Sequence, residues 1–287
     1  MNLSRSQHEP MQSNFIHLGL TGYPLGHSLS PKIHSAAMAE FGIKGDYSPY
    51  PVRPDNWQGM KDLLTRVREQ NIHGLNVTIP HKEKIIPFLD ELTQTAESIG
   101  AVNTIYLNKN KLIGENTDAA GFAADLKQKT TLPNLDQNPS ALILGAGGSA
   151  RAIVFALKNE GWHITLAARR IEQAEEVAMK FGNIEIMEFR ERKLKKLSPH
   201  LIVNTTPLGM APDLDRSPWP DLPLPPNAMI YDLVYNPRET KLARDARSQG
   251  LSACTGLGML IEQAALSFEI WTGYSPSRPV LLNAVNL

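Results

Sequence analysis

The feature that most constrains the fold lies between residues 141 and 161. The apolar run Ala141-Leu142-Ile143-Leu144 leads directly into Gly145-Ala146-Gly147-Gly148-Ser149-Ala150. Residues 151–161 then place Ile153, Val154, Ala156 and Leu157 at helical spacing. A short buried strand, a G-x-G-x-x-A turn and a helix are the parts of a dinucleotide-binding βαβ unit. Gly145 permits the tight turn, Gly147 lets the backbone approach a pyrophosphate, and Ala150 allows close helix–strand packing. The helix N-terminus offers free N–H groups and the positive end of its dipole to phosphate. Such a unit commits the chain to a parallel sheet with right-handed crossovers. The segments downstream agree: 164–168, 184–187, 201–204 and 229–234 read as strands, and 172–181 as a helix.

The end of the second strand selects the dinucleotide. An NAD site carries a carboxylate about 20 residues beyond the glycines to bond the ribose 2′-hydroxyl. Here the chain reads Ala167-Ala168-Arg169-Arg170, and no carboxylate occurs before Glu172. Arginine pairs a 2′-phosphate through charge-assisted bonds, and its plane stacks on adenine. NADP is the expected cofactor.

The N-terminal half has a different texture. Residues 15–21 form an apolar run that stops at Gly22-Tyr23-Pro24. Pro31 opens a helix over 31–41 with Ser30 as its N-cap. Residues 47–52 are an expected edge strand because of their prolines. A helix over about 55–70 precedes a strand at 73–78. Strand–helix alternation in both halves indicates an α/β protein. The length of 287 residues suggests two domains. Residues 213–227 carry Pro218, Pro220, Pro223, Pro225 and Pro226 and read as a surface loop or lid. Residues 130–140 read as a loop.

Composition excludes several classes of function. Lys plus Arg and Asp plus Glu both number 29, so no net field favours nucleic acid or an anionic membrane. The run 190–196 is basic but reads as one solvated helix face. Cys254 is the only cysteine, which rules out an internal disulfide and a multi-cysteine zinc site. No metal is expected. No apolar run approaches a membrane span. Residues 1–14 are polar and read as a leader on a cytoplasmic protein.

Two charged residues stand out near strand ends. Lys82 follows Asn76-Val77-Thr78-Ile79-Pro80-His81, and a lysine there can polarise and protonate a carbonyl oxygen. Asp118, in Asn116-Thr117-Asp118, precedes a helix. From spacing alone each has a plain alternative, a solvated lysine and an N-cap. Ser28 and Ser30 could equally be turn and cap residues. His34 and His81, beside motif residues, read as structural.

The motifs resolve together. Gly22 to Pro31 (GYPLGHSLSP) closely resembles the opening motif of the shikimate dehydrogenase family. So do Asn76 to Lys82 (NVTIPHK), Gly100 to Thr104 (GAVNT), Asn116 to Asp118 (NTD), Gly145 to Ala150 (GAGGSA), Asn204 to Met210 (NTTPLGM), Tyr231 to Tyr235 (YDLVY) and Gly256 to Ala265 (GLGMLIEQAA). They occur in family order from about residue 15 to 285. The resemblance implies reversible NADP-dependent reduction of 3-dehydroshikimate to shikimate. It makes Lys82 the general acid/base, paired with Asp118. It gives Ser28 and Ser30 the substrate carboxylate, and Thr78, Asn103, Asp118, Tyr235 and Gln263 its hydroxyls. It assigns Gly145, Ala146, Gly147, Gly148, Ser149 and Ala150 to the phosphates, and Ala168, Arg169 and Arg170 to the adenosine 2′-phosphate. Thr205, Leu233, Gly256 and Met259 fall on the nicotinamide side, with Gln94 at a lesser cofactor position.

The family commonly reads Asn-Arg-Thr where this chain has Ala168-Arg169-Arg170, and Arg170 is expected to replace the threonine contact. Ser35 stands after His34 where asparagine is frequent. Residues 1–117 plus 257–287 are the expected substrate domain, and 118–256 the expected Rossmann-type NADP domain, with the active site in the cleft between them. The partner is a small molecule, with no nucleic acid and no membrane, in a monomer or homodimer. Two neighbouring readings stay open: a quinate/shikimate dehydrogenase, or a relative acting on an amino-shikimate. A nucleotide-sensing module without turnover should lack Lys82 and Asp118, and both are present.

Overall fold

The structure is a computed structural model that describes residues 15–129, 138–189 and 197–286. The polar leader, most of the loop at 130–140 and the basic run 190–196 lie outside the described residues. The chain forms two compact units. The first comprises residues up to Thr93, Val102–Thr117 and Gln263 onward. The second comprises Gln94–Ala101 and Asp118–Glu262.

The first unit is built from β1 (Ile16–Gly22), α1 (Ser30–Glu40), β2 (Gly45–Pro51), α2 (Trp57–Arg68), β3 (Gly74–Val77), β4 (Glu91–Leu92), β5 (Thr104–Asn108) and β6 (Lys111–Glu115). They form a mixed sheet in the order β2-β1-β3-β5-β6-β4. β1 runs parallel to β2 and β3, and β5 is antiparallel to both β3 and β6. β2 is the edge strand that Pro49 and Pro51 require, since neither can donate to a further strand. The apolar face of α2, with Met60, Leu63, Leu64 and Val67, is buried.

Two local expectations change. Leu29, not Ser30, is the N-cap of α1, and no side chain caps the helix. Leu29 already has helical backbone angles, and the Ser30 N–H donates to Ser28 Oγ at 3.3 Å. The β5–β6 hairpin was also not expected. Its turn at Lys109 and Asn110 has φ of 48° and 62° at the two positions. A two-residue hairpin favours that left-handed conformation. Neither strand alternates cleanly between buried and exposed, so period-2 patterning does not reveal the pair.

The second unit contains α3 (Gln94–Ile99), α4 (Asp118–Lys129), β7 (Ser140–Leu144), α5 (Gly148–Asn159), β8 (His163–Ala168), α6 (Ile171–Phe181), β9 (Ile184–Glu188), β10 (Leu201–Asn204), β11 (Met229–Asp232), α7 (Lys241–Ser248) and β12 (Ala253–Thr255). Its sheet is parallel throughout, in the order β12-β11-β10-β7-β8-β9. This is the doubly wound arrangement, whose strand order reverses between β7 and β10. The long α8 (Leu257–Thr272) starts in this unit and ends in the first, followed there by α9 (Arg278–Asn283).

The division between units differs from the expected boundaries at two short stretches. Residues 94–101 belong with the second unit because Ile99 and Ala101 join the core formed by Ile153, Val154 and Phe122. Residues 257–262 do so because Met259 enters the same core. The proline-rich segment is no free lid. Trp219 and Leu224 are buried with Leu142, Ile202 and Ile230, and the Trp219 indole N–H donates to Leu222 O.

Candidate active site

In the first unit, Thr78, Lys82 and Asn103 gather at one edge of the sheet. β1 and β3 run side by side and end there, at Gly22 and Val77. Antiparallel β5 begins there, with Asn76 opposite Thr104. Thr78 is tied to β1 by its N–H to Thr21 O (2.8 Å), and Asn103 to β3 by the Val77 N–H to its carbonyl (2.8 Å). The Val102 N–H donates to Lys82 O at 2.7 Å, so the lysine backbone is fixed beside Asn103. An added Cβ at Gly22 would lie 2.3 Å from Thr78 Cγ2, so the two segments touch. Crevices outside the carboxyl ends of parallel strands are where open α/β sheets bind ligands.

The histidine next to Lys82 is an anchor. His81 is buried, and its Nε2 lies 2.7 Å from Val52 O. A carbonyl only accepts, so Nε2 carries the proton. His34 is fully buried and stacked on Tyr47 at 4.3 Å. Burial pulls its pKa down to about 3, so it stays neutral.

Behind this edge lies a buried polar network. Asn103 Oδ1 accepts the Thr117 N–H (2.8 Å), and its Nδ2 donates to Thr117 Oγ1 (2.9 Å) and Gln263 Oε1 (3.3 Å). Asn76 takes the Tyr47 hydroxyl on its oxygen (2.8 Å) and donates to Asn103 O (3.0 Å). Ser267, one helical turn beyond Gln263 on α8, meets Thr104, Thr117 and Asn76. Ser267 lies in none of the sequence motifs. Its only signal was a small polar residue in the otherwise apolar stretch Ala264-Ala265-Leu266-Ser267-Phe268.

Asp118 and Tyr235 belong to the second unit, whereas Ser28, Ser30, Thr78, Lys82, Asn103 and Gln263 belong to the first. Asp118 is the first residue of α4 and is buried. Gln94 opens α3 in the second unit.

The glycine loop has the expected form. Gly145 has φ +112°, a conformation that residues with a Cβ rarely adopt, and a Cβ there would lie 2.5 Å from Thr205 Oγ1. Gly147 is the N-cap of α5, and a Cβ there would meet nothing within 4 Å. Space is therefore open in front of the α5 N-terminus, as an incoming phosphate needs. Ala150 is fully buried against the sheet. Arg169 and Arg170 are exposed beyond the end of β8. Arg170 is the N-cap of α6 and makes no side-chain capping bond.

Two further loops meet at the same sheet edge. Thr205 Oγ1 donates to Leu144 O at 2.7 Å. The buried Asp232 carboxylate accepts from Asn204 Nδ2 (2.7 Å), Thr240 Oγ1 (2.7 Å) and the Val234 N–H (3.1 Å). Burial pushes its pKa up to about 6 against those donors. Asp232 thereby joins the segments carrying Thr205, Leu233 and Tyr235. Gly256 packs on the Leu233 carbonyl, where a Cβ would sit 2.2 Å from the oxygen.

Cys254 lies apart from this chemistry. Burial raises its thiol to about 12, which leaves almost no thiolate at neutral pH. Iodoacetamide at pH 8 should therefore label Cys254 slowly in the native protein and rapidly in urea. Equal rates, read by mass spectrometry, would contradict its burial.

Comparison with known proteins agrees with this geometry. Residues 20–105 match the family model of the shikimate dehydrogenase substrate binding domain, and residues 256–285 match that of the shikimate 5'-dehydrogenase C-terminal domain. A shikimate dehydrogenase (NADP(+)) from Carboxydothermus hydrogenoformans is 39% identical, covering 94% of this chain and 96% of the relative. The crystal structure of shikimate 5-dehydrogenase from Thermus thermophilus, in complex with NADP(H) and shikimate, superposes with a TM-score of 0.82 at 35% identity. It covers 94% of this chain and 98% of that one. The enzyme from Listeria monocytogenes, in complex with shikimate and NAD, superposes with a TM-score of 0.80 at 30% identity, covering 96% and 98%. With both sheets, the glycine loop and the motif residues in place along the chain, it belongs to the shikimate dehydrogenase family.

Proposed function

We propose that the chain catalyses the reversible NADP(H)-dependent reduction of 3-dehydroshikimate to shikimate, a step of aromatic amino-acid biosynthesis. One observation carries the reading. The chain matches, over nearly its whole length, a structure holding both NADP(H) and shikimate, and several of its motifs follow the carboxyl ends of parallel strands in the two sheets.

The residues present fit the dinucleotide. The space before Gly147 and the α5 N-terminus suits the pyrophosphate. Arg169 and Arg170 suit the 2′-phosphate, with no carboxylate before Glu172 to repel it. NADPH, when bound, supplies the hydride. Lys82 donates the proton to the oxygen at C3 and takes it back in the reverse direction. Asp118 is the carboxylate proposed to keep the ammonium charged and oriented. Ser28 and Ser30 hold the substrate carboxylate. Thr78, Asn103, Tyr235 and Gln263 bond its hydroxyls, which also rejects analogues that lack them. Thr205, Leu233, Gly256 and Met259 are the proposed nicotinamide-side contacts, with Gln94 at a lesser cofactor position.

Initial rates at 340 nm with shikimate or quinate, and NADP⁺ or NAD⁺, test the proposal. Turnover should be fastest with shikimate and NADP⁺. No turnover with any pair would overturn it, and a preference for quinate would reassign the substrate. Arg169→Ala should raise KM for NADP⁺ about ten-fold, the scale of one charge-assisted bond, and leave KM for NAD⁺ unchanged. An equal rise for both cofactors would remove Arg169 from the 2′-phosphate site.

A further inference from the structure

Three motifs of this chain contain residues that the proposed reaction does not use: Asn76, Thr104 and Thr117. All three converge on Ser267, which lies outside every motif. Its Oγ is 2.8 Å from Thr104 Oγ1, 3.1 Å from Thr117 Oγ1 and 3.1 Å from Asn76 Nδ2. It also lies 3.0 Å from the carbonyl of Gln263. Ser267 and Thr104 are fully buried, and Thr117 and Asn76 nearly so.

The proton directions follow from the backbone partners. The Thr117 N–H can only donate, so the end of Asn103 that faces it is the oxygen. The other end, Nδ2, donates to Thr117 Oγ1. The Thr117 hydroxyl thus accepts from Asn103 and has its own proton to place. Ser267 Oγ is an acceptor within reach. Asn76 is oriented likewise. Its Nδ2 faces the acceptor Asn103 O and has a second proton to direct at Ser267 or Thr104. Ser267 therefore collects donors from β3 and from the segment after β6, and gives its own proton to Gln263 O or Thr104.

We propose that Ser267 is a positioning residue for substrate recognition, holding the Asn103 and Gln263 amides in one orientation. This rests on the reading that Asn103 and Gln263 meet the substrate. Without the Ser267 hydroxyl, the buried Thr117 hydroxyl loses an acceptor. Its nearest replacement is Asn103 Oδ1 at 3.3 Å. That oxygen already accepts the Thr117 N–H and the Thr104 hydroxyl (3.0 Å), so a third donor weakens the contacts that set Asn103 against Gln263. The substrate then meets two amides held less firmly, while the cofactor side and the proton donor are unchanged.

Steady-state kinetics of Ser267→Ala with shikimate and NADP⁺ test this. KM for shikimate should rise about ten-fold, as for a misdirected hydrogen bond, with kcat and KM for NADP⁺ within about two-fold. A shikimate KM equal to wild type overturns the proposal, whether or not the melting temperature falls. So does a parallel loss in kcat and both KM values, which marks general disruption. If Ser267→Ala does not fold, Ser267→Cys, which keeps a side chain of similar size and weakens its hydrogen bonds, is judged by the same criteria. Asn103→Ala separates the two levels of the argument. If it leaves shikimate KM unchanged, the reading of Asn103 fails, and the role of Ser267 falls with it. If it raises KM while Ser267→Ala does not, only the positioning role fails.

Discussion

Lys82→Ala lowers kcat by at least ~10²-fold and leaves KM for NADP⁺ close to wild type, the scale of a general acid–base contribution. The alanine removes the proposed donor without touching the backbone that places it, since the Lys82 carbonyl still accepts the Val102 N–H. The cofactor residues are carried by the parallel sheet of the second unit, on other segments of the chain. The loss should therefore fall on the chemical step. Stopped-flow measurement of NADPH formation separates that step from product release. Turnover equal to wild type would remove Lys82 from the mechanism.

Gly145→Ala is expected to damage both stability and cofactor binding. At φ +112° the backbone occupies a region that an L-residue enters only under strain. The new methyl would sit 2.5 Å from Thr205 Oγ1 and 3.1 Å from Thr206 Cγ2. Thr205 cannot simply step aside, because its hydroxyl donates to Leu144 O and its N–H to the same carbonyl. Backbone strain and overpacking together should cost about 3 kcal/mol, lowering the melting temperature by roughly 5–10 °C. The loop that approaches the pyrophosphate would move as well, so the Kd for NADPH should rise at least ~10-fold. Isothermal titration at a temperature where the variant is folded isolates the binding effect. Wild-type affinity there would mean that Gly145 serves the fold alone.

The two halves of the molecule were unequally legible. In the second unit, residues 141–150 predicted a buried strand, a tight turn and a helix, and β7, the glycine loop and α5 occupy those positions. Each strand of a parallel sheet buried on both faces is a short apolar run, so β8, β10 and β11 were readable within a few residues. The first unit was harder to read. β5 and β6 hide in mixed patterning, and β4 is only two residues long. The cap of α1 was misplaced because Ser-Leu-Ser-Pro offers two serines, and only the backbone angles at Leu29 distinguish them.

The proline-rich segment shows what local composition leaves open. Five prolines predict a surface loop, and 212–216 are exposed and irregular, but Trp219 and Leu224 anchor the loop in the core beside β7 and β10. Proline sets backbone direction, but the apolar side chains between the prolines decide whether the segment docks.

The sequence by itself determined the kind of chemistry this protein can do. Glycines spaced for a phosphate loop and arginines where an acid would select NAD are local patterns whose meaning depends only on neighbours in the chain, whereas the proposed role of Lys82 comes from the resemblance of the motif around it. Tertiary structure alone decided which groups support them. Ser267 lies 191 residues from Asn76, 163 from Thr104 and 150 from Thr117, yet it bonds to all three. A buried hydroxyl has no periodicity and no motif of its own. It acquires a role only when folding removes water and leaves its protein neighbours to satisfy its donor and acceptors.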